Sequence, residues 1–196
     1  MRDLKELGVL LLGFFPWLIF LFFSGHTLTS LERAIIISLF ASLTFGFAEL
    51  RRGYILQWGT LFFFCFCAVS VNLFKVIWVA ENMDLLANAA LAGTMWITIL
   101  VGKPFALQYA QRDVPKERWS DPKFIQGCRL ITLVWACLMS LAAGLSVLRR
   151  SSIFNLPGWV YFDASLCIIL IGLTFTTLFK RQKRLQREQE GAEGGK

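Results

Sequence analysis

The chain has 196 residues, 56% of them hydrophobic and only 17% charged, with 19 Phe and 7 Trp. A soluble domain ordinarily carries about 25% charged residues, so this balance points to one membrane-embedded domain. The net charge of +7 does not indicate a nucleic-acid partner: the bases border apolar runs, and in the central loop they are interleaved with Asp113, Glu117 and Asp121.

The first apolar run covers residues 7–23, within MRDLKELGVLLLGFFPWLIFLFF. Its charged start mixes acids with bases, Pro16 and Trp17 interrupt the run, and no A-x-A-like cleavage site follows, so a retained membrane segment is expected rather than a signal peptide. Further runs cover 34–50, 55–80, 85–101, 127–148 and 159–179. Each is close to the ~20 residues a helix needs to cross a ~30 Å hydrocarbon core. Helices are required because lipid offers backbone groups no hydrogen-bond partner, and the runs lack the ~10-residue alternation of barrel strands. The expected fold is therefore all-α: a polytopic transmembrane helical bundle over residues 1–182, with six helices, or five if Pro16 makes the first re-entrant. Residues 183–196, basic and then acidic and Gly-rich, form an expected disordered tail.

With six crossings, sixteen of the twenty Lys and Arg fall on one face and four (Arg33, Lys75, Arg149, Arg150) on the other. That asymmetry predicts cytoplasmic N- and C-termini and a cytoplasmic central loop, Gly102 to Gln126. Ser120-Asp121-Pro122 predicts the helix start of the fifth segment near Pro122, projecting about two turns before it enters lipid. Asn155-Leu156-Pro157-Gly158 punctuates the start of the sixth, and Trp78, Trp159 and Tyr161 suit the aromatic belts at segment ends.

Small residues recur four apart at Ser42 and Gly46, Ala89 and Gly93, and Ser140 and Gly144. Such spacing lets helix backbones approach, which predicts close packing of the second, fourth and fifth helices and could equally support a homodimer. Polar residues inside apolar runs are Glu49, Gln57, Asn72, Lys75, Asn88 and Asp163. In lipid such residues mark either interhelical bonds or a transport pathway. For Asn72 and Asn88 an interhelical hydrogen bond suffices; Lys75 and Asp163 could pair with each other, or Asp163 with Arg149 or Arg150. Glu49, beside Arg51 and Arg52, reads as a headgroup-level ion pair. Two or more midplane carboxylates would support an ion pathway, and the sequence supplies none.

No catalytic, cofactor or metal site is expected. His26 is the single histidine, without the partners that a metal centre or general base requires. The five cysteines, Cys65, Cys67, Cys128, Cys137 and Cys167, are odd in number and without C-x-x-C spacing, so they read as small apolar residues. Gly102-Lys103 lacks the upstream glycine and following hydroxyl of a phosphate loop. In the central loop Phe105 and Tyr109 stand four apart, with Gln108, Gln111 and Arg112 facing elsewhere, which predicts a short helix lying in the membrane interface with Trp119 as a second anchor. Lys103, Pro104, Phe105, Tyr109 and Trp119 are accordingly the candidate contact residues, serving either as a membrane-pinned connector or as a docking surface.

Phe14-Phe15-Pro16, Gly102-Lys103-Pro104-Phe105, Trp119, Leu130, Trp135, Gly144 and Trp159-Val160-x-Phe162 together resemble the bacterial intracellular septation protein A family, over about Gly8 to Arg181. The resemblance implies a multi-pass protein of the bacterial inner membrane, tied to septation, elongation or envelope maintenance, with no established catalytic residue. The expected function is therefore non-enzymatic and cofactor-free, working through the lipid bilayer and through envelope-synthesis or division proteins. The alternative is a small transporter or channel using Asn72, Asn88 and Asp163.

Overall fold

Thr27 begins the first fully described helix. Its side chain accepts from the Ser30 N–H at 3.2 Å while the Ser30 hydroxyl accepts from the Thr27 N–H, satisfying two donors that a helix start leaves open. The computed structural model describes residues 14–25, 27–112, 114–150 and 167–183, and within them the chain is helical throughout, with no strand. In chain order the elements are α1 (Phe14–Phe23), α2 (Leu28–Thr44), α3 (Phe47–Arg51), α4 (Ile55–Cys67), α5 (Ile77–Glu81), α6 (Met83–Leu100), α7 (Phe105–Ala110), α8 (Pro122–Arg150) and α9 (167–183). The stretch Ala68–Leu73 prolongs α4 as a π-helix, and Lys116–Arg118 is a single 3-10 turn.

Three of these helices are long and apolar enough to cross a membrane: Ile55–Leu73, Met83–Leu100 and Pro122–Arg150. At 1.5 Å per residue the 29 residues of α8 extend ~43 Å, more than the hydrocarbon thickness, so one end must project. Asp121 caps that helix, its carboxylate accepting from the Lys123 N–H at 2.9 Å. The described parts of α1, α2 and α9 are shorter. Pro16 is fully buried in the first described turn of α1.

Two segments differ from the expected runs. Residues 34–50 are not one helix: α2 starts earlier, at the Thr27 cap, and ends at Thr44, with α3 a separate turn beyond Gly46. A Cβ at Gly46 would collide with the Gln57 amide and the Ser42 carbonyl, so the glycine exists for this close approach. The run 55–80 breaks at Lys75, whose φ of 52° lies in the left-handed region. The chain then reverses through α5, which leaves Ile77 and Trp78 exposed at the end of the bundle instead of inside a span.

The helices pack in sequence. α6 lies along α8 over the most extensive interface, α4 against α6, α2 against α4, and α7 against α8. Their shared core includes Ile35, Leu56, Phe64, Met95 and Phe105, all fully buried. α1 joins through Trp17, stacked on Phe63 at 5.0 Å, and through Phe14, stacked on Trp135 at 5.5 Å. Outward faces are apolar: Phe22, Phe62, Leu73 and Leu100 are each more than three-fifths exposed. A water-soluble monomer rarely presents such continuous apolar surface; helices solvated by lipid must.

Candidate functional site

The helix of the central stretch, α7, packs into the bundle. Gly102, with φ +74°, reverses the chain after α6, and Pro104 leads into α7. Phe105 is 0% and Tyr109 4% exposed, packed edge-on against Phe14 and Tyr54 respectively. This corrects the expectation that Phe105 and Tyr109 are surface anchors: both rings face the protein interior. Aromatic side chains four apart suit a headgroup layer, but they suit the bundle interior equally, and here Phe14, Tyr54 and Trp135 supply ring partners there.

The burial requires every free backbone donor of α7 to find an acceptor. Thr98 of α6 accepts the Phe105 N–H and Thr132 of α8 accepts the Ala106 N–H, both at 3.3 Å. Each hydroxyl meanwhile donates to its own helix, Thr98 to Met95 O at 2.7 Å and Thr132 to Cys128 O at 2.9 Å. Gln108, expected to face away, is buried and holds two turns: its Oε1 accepts the Ile55 N–H at 3.1 Å and its Nε2 donates to the Lys103 carbonyl at 3.3 Å. α7 is thus a plug gathering one end of α4, α6 and α8. Of the candidate contact residues only Lys103 is exposed; Pro104, Phe105 and Tyr109 are buried, and the partly buried Trp119 donates to Val114 O at 3.1 Å.

One ion pair closes this end. Glu49 of α3, 7% exposed, accepts from Arg112 at 2.7 Å, whereas its sequence neighbours Arg51 and Arg52 point to the surface. The Tyr109 phenol lies close by, buried and without a hydrogen-bond partner among the described residues. Burial, and then the negative charge of Glu49, push its ionisation well above the usual phenol range, with Arg112 partly opposing.

The intramembrane candidates collect at the opposite end. The Asn72 amide donates to Glu32 O at 3.1 Å and Lys75 pairs with the Glu32 carboxylate at 2.8 Å. Arg149 pairs with Asp84 at 2.8 Å, and Arg150 donates to the Asn82 side chain and the Glu81 carbonyl. Asn88 reaches Ser146 of α8 at 3.5 Å. Asp163 and His26, together with Trp159 and Tyr161, lie outside the described residues.

A set of contacts absent from the sequence reading recurs at three helix interfaces. Indole N–H groups of Trp17, Trp96 and Trp135 donate to hydroxyls of Thr60, Ser140 and Thr176 at 2.9, 3.2 and 3.0 Å. Each hydroxyl donates in turn to the carbonyl one helical turn back, at Leu56, Ala136 and Gly172. The result is the same clamp between α1 and α4, α6 and α8, and α8 and α9. Its available signal was a Trp well inside an apolar run, where its N–H must be bonded.

The small-residue expectation is corrected in part. Added Cβ atoms at Gly93 and Gly144 would meet nothing within 4 Å among the described residues, so these glycines mediate no close contact between the described helices of the chain. The close approaches fall elsewhere: Gly59 against Thr94, Gly172 at 3.0 Å from Trp135, and Gly46 against Gln57.

Among the described residues, no three His, Cys, Asp or Glu side chains gather as a metal-binding group. Family models, curated proteins and solved structures contain no match to this chain.

Proposed function

We propose that the chain is a multi-pass protein of the bacterial inner membrane with six crossings and both termini cytoplasmic, acting without catalysis through protein or lipid contacts. The process, septation, elongation or envelope maintenance, comes from the resemblance to the intracellular septation protein A family. The observation that carries the non-enzymatic reading is how the span polar groups are used. Asn72, Asn88, Thr60, Ser140 and Thr176 all bond to neighbouring helices, which holds a bundle together rather than lining a passage. The exposed parts of the central loop, Lys103 and the turn at Lys116–Arg118, are the contact surface that remains once Phe105 and Tyr109 are buried. A photo-crosslinker at Lys103 or Lys116 in living cells should capture envelope-synthesis or division proteins; capture of lipid alone would remove the protein-docking role.

A second reading, a small transporter, has one observation in its favour. Among the described residues Ser38 Oγ, Gln57 Oε1 and Asn72 Oδ1, in α2, α4 and its π-helical extension, are buried without hydrogen-bond partners, and unsatisfied polar groups at membrane depth are costly enough to suggest use. Solute or proton flux in proteoliposomes decides between the two. Flux that disappears in Asn72→Ala with helicity retained would replace the first reading with the second.

A further inference from the structure

We propose that the end of the bundle plugged by α7 binds one anionic phospholipid, its phosphate between the Arg51-Arg52 turn and Lys103 and one acyl chain along Trp58, Phe62 and Phe66. The inference rests on the membrane reading above and names a partner within it.

Three observations converge. The first is placement. Arg51 and Arg52 precede Gly53, and Lys103 follows Gly102, two left-handed glycines with φ +74° that turn the chain at the same end. Gln108 ties these turns together, accepting from Ile55 just beyond the first and donating to the Lys103 carbonyl of the second. The three cationic side chains are all exposed there.

The second is charge. Among the described residues no carboxylate pairs with Arg51, Arg52 or Lys103, because Glu49, the acid nearest in sequence, is engaged by Arg112. At the other end the balance differs: Lys75 has Glu32, Arg149 has Asp84, and Arg150 has Asn82 and the Glu81 carbonyl. Lys75 and Arg149 thus have carboxylate partners at one end, where Arg33 is exposed, whereas among the described residues Arg51, Arg52 and Lys103 have none at the other, and a net-negative headgroup completes them.

The third is what lies beneath. Trp58 donates its indole N–H to Leu50 O at 3.2 Å, which fixes its ring next to the Arg51 turn. Phe62 lies 5.7 Å from it, ring to ring, and Phe66 follows one turn deeper on α4. All three are exposed, at 42%, 66% and 52%, and their spacing of four places them in one ridge entering the span. Cation, amphipathic indole and apolar rings therefore succeed one another in the order of a phospholipid from phosphate to chain. An orientation signal needs only the bases; it does not need an aromatic track registered beneath them.

Native mass spectrometry of the full chain, released from detergent containing equal phosphatidylglycerol and phosphatidylcholine with identical acyl chains, tests this. The wild type should retain one phosphatidylglycerol with about tenfold or greater preference. Arg51→Gln/Arg52→Gln/Lys103→Gln should retain both lipids equally, with unchanged helicity, while Arg33→Gln at the other end keeps the preference. Phe62→Ala/Phe66→Ala should retain both lipids less while keeping the preference. Equal retention of both lipids by the wild type, an undiminished preference in the triple variant, or displacement by millimolar inorganic phosphate would overturn the proposal. Retention of neither lipid by any form would overturn the membrane reading itself.

Discussion

Tyr109 and the Glu49–Arg112 pair concentrate the residue-scale energetics of the α7 plug. The Tyr109 hydroxyl is buried with no partner among the described residues, a situation that costs about 1–3 kcal/mol of desolvation without return. Tyr109→Phe is therefore expected to leave thermal stability in detergent unchanged or raise it; a loss above ~1 kcal/mol would mean that the hydroxyl is bonded. The pH dependence follows from the sign of the shift. Burial and Glu49 hold the folded-state value above the unfolded one, so the native protein keeps this proton longer. Its contribution is intact below the unfolded phenol value of about 10 and is lost as pH rises beyond it. Tyr109→Phe should accordingly lessen the fall in melting temperature between neutral and strongly alkaline solution. Arg112→Ala leaves the Glu49 carboxylate, 7% exposed, without its cation, a loss of about 2–3 kcal/mol after allowance for the partial exposure of Arg112. Glu49→Gln/Arg112→Gln should recover part of that loss in the same melting measurement; a double variant less stable than Arg112→Ala would contradict the pairing.

At the scale of elements, the hydroxyl clamps and the glycine contacts decide how helices meet. Thr60→Val and Thr176→Val orphan the indoles of Trp17 and Trp135 at buried interfaces and should each cost about 0.5–2 kcal/mol. Ser140→Ala, where Trp96 and Ser140 are both exposed, should cost less, and equal losses at all three sites would argue against the clamp as the cause. The glycines divide more sharply. Gly93→Ala and Gly144→Ala meet open space and should be neutral, or stabilising by up to ~1 kcal/mol through helix propensity. Gly46→Ala and Gly172→Ala must displace Gln57 and Trp135 and should cost about 1–3 kcal/mol. This division also indicates how far the sequence could be read. Apolar runs announced the helices, and Ser120-Asp121-Pro122 announced the start of α8, because length, composition and capping are local properties. Which glycine is a contact depends on which face of its helix meets a neighbour, and a spacing of four is the same on every face. The burial of Phe105 and Tyr109 was hidden for a similar reason, since amphipathic spacing does not say whether lipid or protein takes the apolar side. Lys75 found Glu32 because the left-handed turn stops α4 short of the length that its apolar run suggested.

At the scale of the whole molecule, the two ends differ in kind. One is closed by α7 and carries the exposed Arg51, Arg52 and Lys103, which no carboxylate among the described residues pairs; the other carries the Glu32–Lys75 and Asp84–Arg149 ion pairs beside the exposed Arg33. α4 with its π-helical extension connects them, starting at Ile55 beside the plug and ending at Leu73 beside Lys75. In the proposed orientation the plug faces the cytoplasm, in accord with sixteen bases on that side against four. The most direct test labels single cysteines, in a cysteine-free background, with a membrane-impermeant maleimide on intact cells. Lys75→Cys should react at once, and Lys103→Cys only after the membrane is permeabilised. Reaction of both positions in intact cells, or of Lys103→Cys alone, would contradict the proposed crossing and its direction.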